Sequence, residues 1–448
     1  MTPSQRDGRL DPATPAVVVS CDSHVGPRLR EDLREYCPKA YIERYDAFVA
    51  EDLAQRDAMR ELFEKTGGAR GVAMFDHPNM QTAGHFDAAT RLREMDADGV
   101  AAEAMWHFSQ NGEPMPWLGI GLGTVSPEQW ELGGVCYEMY NRWLADFCSA
   151  DPERLLGLVY LPTWDIDACV SELRRARDAG LRVVNLPACS RPGVLEYNNP
   201  AWEPFWSACE DLGFTLATHS SGGPTFDYMS GTGGVQLQIY EGGGYMSRRA
   251  VWWLIYGQVF ERHPGIRLVI AEQYEGWYVP TMLELDSIHV TFGMFGDELP
   301  RMPSEYMRSN VFLGASFMST YQATEAWREG YAENVLWGRD YPHIEGTWVP
   351  SEDPDAEPNT KLALRHVFSN VPTREALLMA GENAIGVYGL DAAYMASVAD
   401  RIGAPTAADL SVPLDKVPGV GHTIAFVGQA GPRPIEPRRL ERNARLRA

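Results

Sequence analysis

The stretch Val17–Gly26, VVVSCDSHVG, runs from an uncharged, Val-rich segment into Asp-Ser-His. β-Branched residues with no charge before Asp22 predict a buried strand. Side chains alternate along a strand, so Asp22 and His24 share one face at its C-terminal end. Such an ending is either a capped turn or half of a metal site, and the rest of the chain decides between them.

Working outward, seven more short apolar runs follow amphipathic, helix-like segments. They are GVAAEAMWHF (99–108), RLLGLVYLP (154–162), LRVVNLPA (181–188), FTLATHS (214–220), IRLVIAEQ (266–273), NVFLGAS (310–316) and NVLWGRDYP (334–342). Eight strands alternating with helices predict an α/β fold, either a (β/α)8 TIM barrel or a doubly wound open sheet. The barrel is the better reading because strands one, two, five, six and eight end in polar residues, and a barrel gathers all strand ends at one mouth.

A barrel uses only ~250 residues, so the 448-residue chain carries extra segments. We expect a barrel domain over 1–390 with insertions after strand one (27–90) and strand five (220–248), the second glycine-rich and placed to cover the mouth. A C-terminal extension, 391–448, ends in a basic tail and is expected to pack on the barrel or on a partner subunit in a homodimer. A hydrophobic content of 45% supports a large core, while a net charge of −22 disfavours nucleic acid and anionic membranes as partners. Seven scattered cysteines without a C-x-x-C pair, a polar N-terminus and no long apolar span predict a cytoplasmic protein with reduced thiols.

The polar strand ends form a shortlist: Asp22 and His24 on strand one, His107 on two, His219 on five, Glu272 on six and Asp340 on eight. Singly, each reads as a cap, a turn former or a core histidine. Jointly, imidazoles and carboxylates converging on one mouth predict a cation site. Glu103 shares the parity of His107 but lies about 13 Å deeper at ~3.3 Å per residue. His343 is a candidate to orient a ligand from behind, to be a ligand itself or to anchor a loop, Glu275 to hold a loop or a ligand's free N–H, and Trp277 to line an apolar pocket with other aromatics near the strand ends.

The ordered set CDSHVG, RLREMDADGVAAEA, YNNPAWEPFWSACEDLGFTLATHS, FERHPGIRLVIAE and NVLWGRDYPHIEGTW resembles the amidohydrolase superfamily, specifically its amidohydrolase-2 branch, over about residues 17–390. The resemblance implies a metal held by Asp22, His24, His219 and Asp340, with Asp340 also able to act as a base. Two departures stand out. No lysine closes strand four, which argues against a carbamylated-lysine binuclear site, and Glu272 stands where many relatives carry a strand-six histidine. The strand-six glutamate and the DYPHIEGTW ending also resemble the TIM-barrel nonheme diiron monooxygenases of secondary metabolism. That likeness implies two Fe ions ligated by Asp22, His24, His107, His219, Glu272 and Asp340, with Glu272 and Asp340 as the catalytic carboxylates. It further implies O2, an external electron donor, and hydroxylation of an apolar terpenoid or acyl substrate carried on coenzyme A.

Three functions follow as expectations. The first is this diiron oxidoreductase. The second is a mononuclear Zn or Mn hydrolase or nonoxidative decarboxylase acting on a small molecule. The third is a barrel that binds without catalysis, which the cost of burying unpaired polar groups disfavours.

Overall fold

The computed structural model describes residues 11–66, 76–119, 125–187, 193–219, 232–296, 299–351, 353, 356–418 and 426. Cys189, the first part of the 220–248 insertion and the whole of the basic tail lie outside the described residues. The eight expected strands form one parallel sheet in chain order: β1 (Val19–Val25), β2 (Ala102–His107), β3 (Leu155–Val159), β4 (Val183–Asn185), β5 (Thr215–Thr218), β6 (Arg267–Ile270), β7 (Val311–Ala315) and β8 (Val335–Trp337). Closure comes just past the end of β8. A parallel bridge joins Ser23 to Tyr341, the Asp340 amide donates to the Asp22 carbonyl at 2.9 Å, and the His24 amide donates to the Tyr341 carbonyl. The fold is therefore the (β/α)8 barrel.

Helices follow the strands and cover the sheet's outer face. Those that concern the site are α1 (Ala88–Asp98), α2 (Trp130–Cys148), α3 (Arg249–Tyr256) and α4 (Tyr278–Phe292), joined by α5 (Asn383–Tyr388) and α6 (Ala392–Arg401) near the C-terminus. Helix α1 starts on the Asp87 side chain, which accepts from the Thr90 amide, and stops at Gly99 with φ 75, a left-handed cap that suits glycine. Met395 and Val398 of α6 and Val387 of α5 join the cluster of Val19, Ala102 and Val269 inside the barrel. The Thr215 hydroxyl at the start of β5 also donates to the Val387 carbonyl, so these helices close the barrel floor, opposite the mouth. Among the described residues no helix is long and apolar enough to cross a membrane.

Strand pairing explains how a metal-binding face can follow a core-facing one. β1 pairs with β2 as Val19↔Ala102 and Ser20↔Glu103, then resumes at Ser23↔Met105, so β1 carries one extra residue. Val19 and Cys21 pack inside the barrel. Strict alternation from them would aim Asp22 and His24 at the helices. The bulge reverses the parity and turns both inward.

Candidate metal centre

Asp22, His24, His219, Glu272, Asp340 and His343 meet at the C-terminal ends of β1, β5, β6 and β8. Their donor atoms form three overlapping groups, each within 4.8 Å: Asp22, His24 and His219; His24, Asp340 and His343; and Asp22, Glu272 and Asp340. His24 Nε2 lies 3.2 Å from Asp340 Oδ1 and 3.5 Å from Asp22 Oδ1, while His219 Nε2 lies 3.4 Å from Asp22 Oδ1. Glu272 Oε2 stands 3.7 Å from His219 Nδ1 at the rim, where it keeps 15% side-chain exposure. Asp22 and Asp340 are buried outright.

Hydrogen bonds behind the cluster settle which imidazole atoms face it. The His24 Nδ1–H donates to the His107 carbonyl at 2.9 Å, leaving the Nε2 lone pair directed inward. His343 donates from Nε2 to the Phe108 carbonyl at 2.7 Å, which turns Nδ1 toward Asp340 Oδ1 at 3.1 Å. The two rings stack with centroids 4.0 Å apart. Burial holds His24 well below the usual histidine range, and the neighbouring His343 adds to that, so it presents a neutral nitrogen. Burial acts the same way on His343, but Asp340 and then Glu345 outweigh it and raise its pKa to about 10.

Two carboxylates are aimed by unusual backbone. Glu272 and Asp340 both have φ 52, a left-handed conformation that costs a non-glycine residue energy. Asp22 is fixed through Oδ2, which accepts from the Ser316 hydroxyl after β7. Asp22 Oδ1, His24 Nε2, both Asp340 carboxylate oxygens and His343 Nδ1 are buried without a hydrogen-bond partner. Such atoms are costly to bury alone. For Asp22, His24 and Asp340 that convergence fits a divalent cation bound by hard oxygen and neutral imidazole donors.

The shortlist from the sequence is redistributed by the fold. Asp22, His24, His219, Glu272 and Asp340 come together, and of the positions open to His343 the fold gives it one at donor distance. His107 does not join. On β2 the residues facing the barrel are Ala102, Ala104 and Trp106, and Trp106 meets the His219 ring at 4.9 Å. The His107 ring therefore points the other way, edge-on to Tyr140 of α2 at 5.3 Å, and only its carbonyl serves the site. Glu103 follows the same outward parity. Glu275 lies near the Ser319 hydroxyl, and Trp277 packs under the Arg248 guanidinium at 4.6 Å. Neither belongs to a donor group among the described residues. Sequence reading missed Ser316, although it directly follows the last residue of a strand, and Arg91, which lies inside RLREMDADGVAAEA and gives no positional signal of its own.

Residues 126–390 match the family described as Amidohydrolase. The chain is 26% identical over 227 residues to a gamma-resorcylate decarboxylase of Rhodococcus jostii (strain RHA1), an alignment covering 45% of this chain and 64% of that protein. It thus spans just under two thirds of that relative. Among solved structures, 5-carboxyvanillate decarboxylase from Sphingomonas paucimobilis superposes with a TM-score of 0.55 at 21% identity, covering 84% of this chain and all of the other. A dihydroxybenzoic acid decarboxylase from Polaromonas sp. JS666, solved with bound manganese and 2-nitroresorcinol, gives 0.51 at 15% identity over 84% of this chain and 97% of its own.

These relatives overturn the reading as a diiron monooxygenase. They are decarboxylases, which remove a carboxyl group without net oxidation, so the oxidoreductase assignment falls. With it go the two Fe ions, O2, the electron donor and the coenzyme A-linked substrate. The fold removes His107 from the donor set as well.

Proposed function

Because the chain belongs to the amidohydrolase family, we propose that it is a divalent-metal-dependent nonoxidative decarboxylase of a small aromatic acid. The observation that carries the reading is the buried cluster of unsatisfied donors at the barrel mouth. Asp22, His24, His219 and Asp340 would hold one Mn or Zn ion. When bound, that ion supplies Lewis-acid polarisation of the substrate's oxygen atoms.

The chain's own residues supply the rest. Loss of CO2 leaves the bonding electron pair on a ring carbon, which must take up one proton. Asp340 Oδ1, 3.1 Å from His343 Nδ1, is placed to receive a proton from that imidazole and deliver it to the ring carbon. The Phe108 carbonyl pins the far side of His343, so the ring keeps one orientation during transfer. Glu272, the most exposed carboxylate of the cluster, stands on the substrate side. Beyond it Tyr274 and Phe317, from the segments after β6 and β7, stack at 6.0 Å and offer an aromatic wall for a planar ring.

The test is turnover of 2,6-dihydroxybenzoate and 5-carboxyvanillate by protein loaded with Mn(II) or Zn(II). We expect CO2 release, one metal per chain and, in D2O, one deuterium on the carbon that lost the carboxylate. Metal-loaded protein that neither binds nor decarboxylates any hydroxylated or methoxylated benzoate overturns the reading.

A further inference from the structure

Behind the metal cluster, on the outer side of β1 and β2, lies a second set of charges that the mechanism above does not use. Glu103 is fully buried and binds two buried arginines. Arg91 of α1 donates to Glu103 Oε1, while Arg339 donates to Oε2 through Nε at 3.0 Å and Nη2 at 2.7 Å. The Ser23 hydroxyl, from the residue between Asp22 and His24, donates to the same Oε2 at 2.9 Å. Arg339 reaches on to Asp98 at 2.8 Å. Both guanidinium groups also flank the Tyr341 ring, at 3.8 and 4.5 Å from its centroid.

Arg91, Arg339 and Tyr341 are each tied to a candidate ligand through the backbone. Arg91 Nη1 donates to the His24 carbonyl at 2.8 Å. Arg339 precedes Asp340, and its own amide donates to the Ser20 hydroxyl at 3.0 Å. Tyr341 follows Asp340 and accepts from the His24 amide. The left-handed backbone of Asp340 is thus held between two residues anchored in this cluster. Buried charges of this kind seldom increase stability over apolar packing, so their presence beside a site calls for a positional role.

We propose that Glu103, by clamping Arg91 and Arg339, is the positioning residue that sets the geometry of His24 and Asp340 for metal binding. This rests on the metal-dependent reading above. Removing the Glu103 charge would leave Arg339 with Asp98 alone and take from Arg91 the carboxylate it binds, free the β1 bulge at Ser23 and relax Asp340. A positioning role of this type is worth about 10- to 100-fold in metal affinity.

The experiment compares Mn(II) affinity, read from the electron paramagnetic resonance signal of free Mn(II), and the visible spectrum of bound Co(II), in four full-length proteins. They are the wild type, Glu103→Gln, Arg91→Lys and Leu173→Ala. Arg91→Lys keeps the charge but cannot span both Glu103 and the His24 carbonyl, and it decides the matter if Glu103→Gln does not fold. Leu173→Ala truncates a buried side chain on the helix Ile166–Asp178, remote from the site, and controls for lost stability alone. We expect at least tenfold weaker Mn(II) binding and an altered Co(II) spectrum in folded Glu103→Gln and in Arg91→Lys. Leu173→Ala should melt earlier with its affinity within twofold of wild type. Wild-type affinity and spectrum in the folded Glu103 and Arg91 variants overturn the positioning role and leave the metal reading standing. A wild type that takes up neither ion overturns both.

Discussion

At the scale of the residue, the carboxylates divide by exposure and by aim. Asp340 is buried, held at φ 52 and placed against His343. Asp340→Asn keeps the shape but cannot carry the transferred proton, so kcat should fall by about 10²–10⁴, measured as CO2 release at saturating metal. Glu272 stands at the rim, and Glu272→Gln should retain one metal per chain while kcat falls about 100-fold. Loss of metal from that variant would make Glu272 a ligand. The sequence pointed to both carboxylates, since each directly follows a strand-like run. It could not show the ring direction of His107, because the face on which β2 meets the barrel depends on how neighbouring strands pair. Nor could it place His343 at donor distance, since its orientation comes from the Phe108 carbonyl on another strand's loop.

At the scale of the element, β1 is the part on which the site depends. It is pinned at one end by the helical turn at Leu378–Glu382 and at the other by the Glu103 cluster. A Cβ on Gly381 would come within 2.1 Å of the Val17 carbonyl, so Gly381→Ala should destabilise the fold by about 1–3 kcal/mol through overpacking. Chemical denaturation of the metal-free protein checks this. Glu103 also predicts an acid response. Burial works against its charge, but Arg339 and Arg91 outweigh it and hold its pKa below the usual carboxyl value. The stability it contributes is complete above the unfolded-state value of about 4.5 and is lost as pH falls through the lower folded-state value. Glu103→Gln should therefore be less stable than wild type at neutral pH, with the gap narrowing below pH ~4.5. All eight strands were visible as apolar runs bounded by turn residues. The one-residue bulge in β1 was not, because VVVSCDSHV carries no glycine to mark it and only the pairing with β2 reveals the extra residue.

At the scale of the whole molecule, the barrel brings donors from four strand ends into a space too small for unpaired charges to share comfortably. Binding a cation there couples metal affinity to stability. At a free Mn(II) concentration 100 times the dissociation constant, the folded state should gain about 2.7 kcal/mol. Thermal unfolding should shift upward by a few degrees with Mn(II) and fall back with a chelator. Protein whose melting is indifferent to both lacks a site of the proposed kind.

What the sequence determined by itself is the periodicity. Eight apolar runs, five of them with polar ends, alternate with amphipathic helices and favour a barrel, and a barrel places Asp22, His24, His219, Glu272 and Asp340 at one mouth. Direction was left to the assembled fold. The β1 bulge turned Asp22 and His24 inward, the β2 register turned His107 outward, and carbonyls from neighbouring loops set which imidazole nitrogen faces the cluster. Periodicity is a local property of the backbone, carried by each segment alone. Direction is settled only when strands pair and buried polar atoms find their partners, and those partners lie up to hundreds of residues apart in the chain.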